Sequence, residues 1–175
     1  MEMLDVYDEN GKYIGVRSRE FCHSENPGVY HKPVWVWVVN GKGEILLQKR
    51  AKHLKENANK WDAGVAGHTK AGETFIEACI REAKEEIGIE TTEKDFIFIR
   101  EWLKKEGWEF AQIYLLILNI PTSEMTLQEN EVSKIKWVKF NKFVKLLYSN
   151  KFAKFTKEYQ DWVVEMLGEQ IKNIK

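Results

Sequence analysis

Residues 67–89 read Gly-His-Thr-Lys-Ala-Gly-Glu-Thr-Phe-Ile-Glu-Ala-Cys-Ile-Arg-Glu-Ala-Lys-Glu-Glu-Ile-Gly-Ile, and two patterns in this stretch restrict what the chain can build. At about 100° per residue, Ile76, Ile80, Ala83 and Ile87 share one narrow apolar stripe, which calls for a helix lying on a core. Glu82, Glu85 and Glu86 recur on that helix at three- and four-residue offsets. A pair of carboxylates at i,i+4 is mildly destabilising, so three together call for a cation over them. The helical angles put them at an edge of the stripe or in a cleft. Oxygen ligands in such a place suit Mg²⁺ or Mn²⁺, hard ions that take a few carboxylates plus water and phosphate oxygens. Gly88 is expected to stop the helix.

The segments around the helix read mostly as strands. Val34–Val39 is apolar at every position, the pattern of a strand covered on both faces in the middle of a sheet. Asn40-Gly41-Lys42-Gly43 turns the chain into a second strand, Glu44–Arg50, and a polar loop, 51–60, leads to Trp61–Gly67. Further strands are expected over Phe96–Leu103, Phe110–Leu118 and Ile135–Phe140, with Lys104–Glu109 a charged connection. Near the N-terminus, Asn10-Gly11 between two apolar stretches predicts a hairpin with a type I′ turn; Ser18–Pro33 is polar and irregular. Asn141 is the expected cap of a short helix, and Phe155, Tyr159, Trp162 and Met166 recur at helical spacing in an amphipathic C-terminal helix over 153–172. Strands bracketing helices in this mixed order predict a sheet with helices on both sides.

The length of 175 residues fits a single domain, 1–175, able to bury a core without disulfides. Its 27 basic and 27 acidic residues balance, which argues against holding nucleic acid by bulk electrostatics. No apolar run is long enough to span a membrane, and acids stand where a secretory signal carries a basic region, so a cytoplasmic location is expected. Cys79, near the apolar stripe, is expected to be a buried free thiol.

Gly67, Glu73, Arg81, Glu82, Ala83, Glu85, Glu86, Gly88 and Ile89 together fill every fixed position of a pattern that resembles the Nudix box, residues 67–89. The resemblance implies a Nudix-type α/β/α sandwich with a mixed sheet. It also implies Mg²⁺- or Mn²⁺-dependent hydrolysis of a nucleoside diphosphate linked to another group X, with Glu82, Glu85 and Glu86 as metal ligands. Members differ over which carboxylate deprotonates the attacking water, so Glu82, Glu85, Glu129 and Glu131 all stand as candidates. Gly67 and Gly88 serve the backbone, while Glu73 and Arg81 are expected to hold the loop against the helix.

Trp61–His68 also resembles the matching stretch of isopentenyl-diphosphate isomerase, a Nudix-fold enzyme that has Cys where this chain has Ala66. A methyl group exchanges no protons, which favours hydrolysis over isomerisation. His23 and His31 fall near positions where the isomerase has metal-binding histidines. Expected substrate contacts are His68, Lys49, Arg50 and Trp61, with Trp102 and Trp108 further stacking candidates. Trp35 and Trp37 read as core. The expected partner is a small nucleotide derivative, neither nucleic acid nor membrane, with a homodimer left open. A nucleotide sensor without turnover is the alternative from another class.

Overall fold

The computed structural model describes every residue except Asn26 and Lys175. The first half of the chain runs β1 (Met3–Tyr7), β2 (Tyr13–Ser18), α1 (Arg19–Cys22), β3 (Pro33–Val39), β4 (Glu44–Arg50), β5 (Trp61–Asp62), β6 (Val65–His68) and α2 (Phe75–Ile87). It continues through β7 (Phe96–Lys104), β8 (Glu109–Ile117), β9 (Val132–Lys139), α3 (Phe140–Leu147) and α4 (Lys157–Ile174).

The all-apolar run of β3 lies at the centre of a mixed sheet. It pairs parallel with β8 along Val34–Val39, antiparallel with β6, and antiparallel with β4 only at Val38 and Val39. Side chains alternate across a strand, and β3 divides accordingly. Val34, Val36 and Val38 join Ala78, Cys79, Ala83 and Ile87 of α2 on one face. Trp35, Trp37 and Val39 join Phe143 of α3 and Tyr159, Val163 and Leu167 of α4 on the other. The result is an α/β/α sandwich. No helix among the described residues is long and apolar enough to cross a membrane.

Four local expectations are corrected. The β1–β2 hairpin forms, but the Asp8 carboxylate accepts from the amides of Asn10 and Lys12, the Gly11 amide donates to the Asp8 carbonyl, and only Gly11 takes a positive φ, 77°. That is a type I turn followed by a left-handed glycine, not the type I′ turn. The short helix starts at Phe140, with Lys139 rather than Asn141 at its cap, because the Phe140 ring is drawn against Gly168 of α4. The C-terminal helix starts at Lys157 rather than near Ala153, since Lys151 and Ala153 instead exchange backbone hydrogen bonds with Trp61.

The fourth correction concerns α2. Its buried line is Ala78, Cys79, Glu82, Ala83, Glu86 and Ile87, while Ile76 and Ile80 are half-buried. Small side chains at 78, 79 and 83 let the helix lie close to β6 and β3, and this turns Glu82 and Glu86 inward rather than along an edge. Cys22 and Cys79 are both buried free thiols.

Candidate active site

The helix carrying the carboxylates is fixed at both ends. Thr74 caps it reciprocally with Glu77: the Thr74 amide donates to Glu77 Oε2 at 2.8 Å, and the Glu77 amide to Thr74 Oγ1 at 3.3 Å. Gly88 ends it in the left-handed region, φ 71°, with its amide donating to the Lys84 carbonyl. A side chain there would also meet the Thr126 backbone at about 2.9 Å, so glycine is required on two counts.

Arg81 binds the loop to this helix. Its Nε and Nη2 donate to the two oxygens of Glu73 at 2.7 and 2.9 Å, and Nη2 also donates to the His68 carbonyl at 2.8 Å. Nη1 donates to Glu82 Oε1 at 2.7 Å and Glu85 Oε2 at 3.2 Å. A planar fork suits this bidentate task. Burial works against the Glu73 charge, but the Arg81 and Lys70 hydrogen bonds prevail and hold its carboxyl below the usual range.

Glu86 is 2% exposed and held from two directions. The Ala66 amide donates to Oε2 at 2.9 Å, and Gln48 Nε2 lies 3.3 Å from both oxygens. Burial first, and the Glu82 charge second, raise its carboxyl well above the ordinary carboxylate range. Burial likewise pushes Glu82 up to about 7, although Arg81 opposes the shift. Glu85 is exposed and lies between Arg81 and Lys70 Nζ, at 3.9 Å. Two acids so reluctant to ionise together want a cation close by. All their donors are oxygens, which fits a hard divalent ion.

Glu82 and Glu85, but not the buried Glu86, open on a cleft of about 1040 Å³ whose walls include Arg50, Gly67, His68, Arg81, Glu82, Glu85 and Glu131. Glu131 lies near enough to Glu82 and Glu86 to raise both, and its carboxylate has no hydrogen-bond or ion-pair partner among the described residues. Glu129 is not on the cleft wall. Neither are Lys49 and Trp61: the Trp61 ring is covered by Lys136 Nζ at 3.7 Å, with Lys49 Nζ at 5.9 Å. Arg50 reaches the wall, but its Nε donates to the Glu56 carbonyl at 3.1 Å and Nη1 lies 3.8 Å from Asp62.

His23 and His68, on the cleft wall, meet the buried His31, each offering a ring nitrogen within 4.8 Å of the others. His23 Nε2 and His68 Nε2 are 2.8 Å apart. His31 is 1% exposed, and neither of its ring nitrogens has a hydrogen-bond partner. Burial, then the charge of His23, lowers His31 to about 3, and burial with His31 lowers His68 well below the ordinary value. A buried imidazole whose two nitrogens lack partners, as His31's do, is suited to ligate a metal. Among the described residues this is the one group of three His, Cys, Asp or Glu side chains whose ligand atoms lie so close together. The carboxylates of α2 are held farther apart by Arg81, Gln48 and the Ala66 amide.

Sequence reasoning missed Gln48, Glu56 and Glu109. Gln48 carried a signal: it is the lone amide after Ile45-Leu46-Leu47 in a strand, and a buried amide needs a partner. Glu56 lies 3.6 Å from His23 Nδ1, and that contact lowers its carboxyl to about 2. Glu109 is buried against Lys104 Nζ at 3.1 Å.

An α/β/α sandwich presenting a glycine-hinged loop and a carboxylate helix to one cleft is the arrangement of the phosphoanhydride hydrolases that bear the box. The profile described as the NUDIX domain matches residues 29–159, and the chain belongs to the Nudix hydrolase family, whose hydrolases cleave phosphoanhydride bonds. An uncharacterised Nudix hydrolase of Clostridium acetobutylicum is 34% identical over 155 residues, covering 83% of this chain and 74% of that protein. Nudix hydrolase 3 of Arabidopsis thaliana is 34% identical over 154 residues, covering 81% of this chain but only 20% of the much longer plant protein. An isopentenyl-diphosphate Delta-isomerase of Corynebacterium diphtheriae is 27% identical over 177 residues, covering 95% of this chain and 92% of that one. A crystal structure from Deinococcus radiodurans shares the fold, with a TM-score of 0.73 at 19% identity, covering 96% of this chain and 98% of that one.

Proposed function

We propose that residues 1–175 form one Nudix domain that hydrolyses the pyrophosphate bond of a nucleoside diphosphate linked to a further group, with Mg²⁺ or Mn²⁺ held by Glu82, Glu85 and Glu86. The observation that carries the reading is the clamp on Glu86, a buried acid one helical turn from Glu82 and oriented by Gln48 and the Ala66 amide. When bound, the ion neutralises charge that builds on the phosphate oxygens and lowers the pKa of water.

The chain's own residues do the rest. Arg81 keeps Glu82 and Glu85 at fixed positions and ties the loop to the helix, so the ligand oxygens need no reorganisation. Glu131 accepts the proton of the attacking water, because its carboxylate faces the cleft uncommitted whereas Glu82 and Glu85 are engaged by Arg81. The water oxygen bonds to one phosphorus, the bridging P–O bond breaks, and the proton passes from Glu131 to solvent. The two buried thiols accord with a cytoplasmic location.

A screen for phosphate or nucleotide release over nucleoside diphosphates, sugar nucleotides, dinucleoside polyphosphates and coenzyme A, with and without Mg²⁺, tests the reading. Metal-dependent release from one class is expected. Silence across the panel alongside tight nucleotide binding would replace it with a sensor.

The histidine cluster supports a second reading, an isomerase of prenyl diphosphates with a metal on His23, His31 and His68. Ala66 opposes it, since that position offers no proton to carbon. An allylic product from isopentenyl diphosphate with Mg²⁺, Mn²⁺ or Zn²⁺ would restore it.

A further inference from the structure

A second cavity, of about 1180 Å³, adjoins the carboxylate cleft and has no part in the hydrolytic step. The two share Trp35, Glu56, Asn57, Lys104, Lys154 and Phe155 on their walls, so they lie side by side.

The floor of this annex is aromatic and firmly held. Tyr159 accepts a hydrogen bond from Trp37 Nε1 at 3.2 Å inside the core. Around it, Phe155 and Tyr159 have ring centroids 4.8 Å apart, and Trp102 and Trp162 have theirs 5.4 Å apart, both pairs tilted by 32°. Trp102, Phe155 and Trp162 are only half-buried, so part of each ring remains open.

The rim is cationic. Lys60, Arg100, Lys104, Lys105 and Lys154 face Glu56, Glu106 and Glu158, five positive groups against three negative. Lys104 is paired with Glu109, but Lys60, Arg100, Lys105 and Lys154 have no ion-pair partner among the described residues. Arg100 instead spreads over two rings, 5.0 Å from the Trp102 centroid and 5.2 Å from that of Trp162. Flat rings beside unpaired cations match a ligand that is itself a flat ring joined to phosphate. Every nucleobase offers a face for stacking, and guanidinium and ammonium groups bind phosphate oxygens. A neutral apolar ligand would leave four cations unanswered.

We infer that the annex is the base subsite of the enzyme: a nucleobase stacks on the open rings of Trp102, Phe155 and Trp162, while Arg100 and Lys154 meet phosphate oxygens. The inference rests on the hydrolase reading only for the bond that is cut, and binding reports on it separately.

Calorimetric titration of the full chain with AMP, CMP, GMP and UMP, none of which contains an anhydride, tests the subsite. At least one is expected to bind. Trp162→Ala is expected to weaken that ligand on the order of ten- to a hundredfold, as loss of a stacking ring does. Ribose 5-phosphate, which lacks a base, is expected to bind wild type and Trp162→Ala alike. Arg100→Gln, at the rim and free of the core, is expected to weaken both the nucleotide and ribose 5-phosphate, and it carries the test if Trp162→Ala unfolds. Absence of binding by all four nucleotides would overturn the subsite. So would unchanged affinity in Trp162→Ala, or in Arg100→Gln where only that variant folds. Nucleotide binding that depends on Trp162, without release of any product in the substrate screen, would retain the subsite and reject the hydrolase.

Discussion

A methyl group on Gly67 would stand 2.0 Å from the Glu82 carboxyl carbon. Loop and helix therefore fit together only because position 67 has no side chain. Gly67→Ala forces the carboxylate or the helix aside, and overpacking of this kind costs about 1–3 kcal/mol. The expected result is a lower denaturant midpoint together with a fall in kcat of tenfold or more. A wild-type kcat in a folded Gly67→Ala protein would separate Glu82 from catalysis.

Arg81→Lys keeps the charge but loses the fork. One ammonium cannot serve Glu73, Glu82, Glu85 and the His68 carbonyl together. Losing hydrogen bonds to charged groups costs about 1.5–3 kcal/mol each at such sites. Reduced stability is expected, with kcat lowered more than KM is raised, because Glu82 and Glu85 are mispositioned rather than removed. Equal stability by chemical denaturation would contradict this account.

Glu86→Gln removes a buried acid whose carboxyl is held well above the ordinary range. A carboxyl raised in the folded state is easier to ionise in the unfolded chain, so metal-free protein is expected to lose stability as pH rises above about 4.3. In Glu86→Gln that loss shrinks, while turnover and Mn²⁺ affinity fall by on the order of a hundredfold. Thermal melts in EDTA between pH 4 and 8, paired with Mn²⁺ titration, provide the check.

Acid acts through His31 in the opposite sense. With the folded-state value lowered to about 3, protonation favours the unfolded chain, so the stability associated with neutral His31 is complete above about 6.5. It is lost as pH falls toward 3, by up to about 1.4 kcal/mol per pH unit. In EDTA, His31→Gln is expected to flatten this slope, and an unchanged slope would assign acid sensitivity to other groups.

Much of this architecture could be read from local pattern. The strand Glu44–Arg50 has the expected bounds, because a turn of glycines precedes it and a polar run follows. The helix stops at Gly88 as expected, because only a left-handed residue closes it there. The contacts that assemble the site are less visible. Gln48 reaches Glu86 across 38 positions, and the Ala66 amide reaches it across 20. Such pairs depend on strand order, which periodicity does not encode. The inward turn of Glu82 was hidden for a related reason: the buried side of α2 is chosen by the small residues that let it approach β6, not by its largest apolar ones.

The parallel pairing of Pro33–Val39 with Glu109–Ile117 has a consequence for how the enzyme comes into being. The central ladder joins segments from opposite halves of the polypeptide, and such distant pairings form slowly. A nascent chain that has released the carboxylate helix from the ribosome still lacks the strand on which its supporting sheet closes. Competence for chemistry therefore arrives late in synthesis, and a product truncated before residue 109 exposes the apolar run of the middle strand to aggregation.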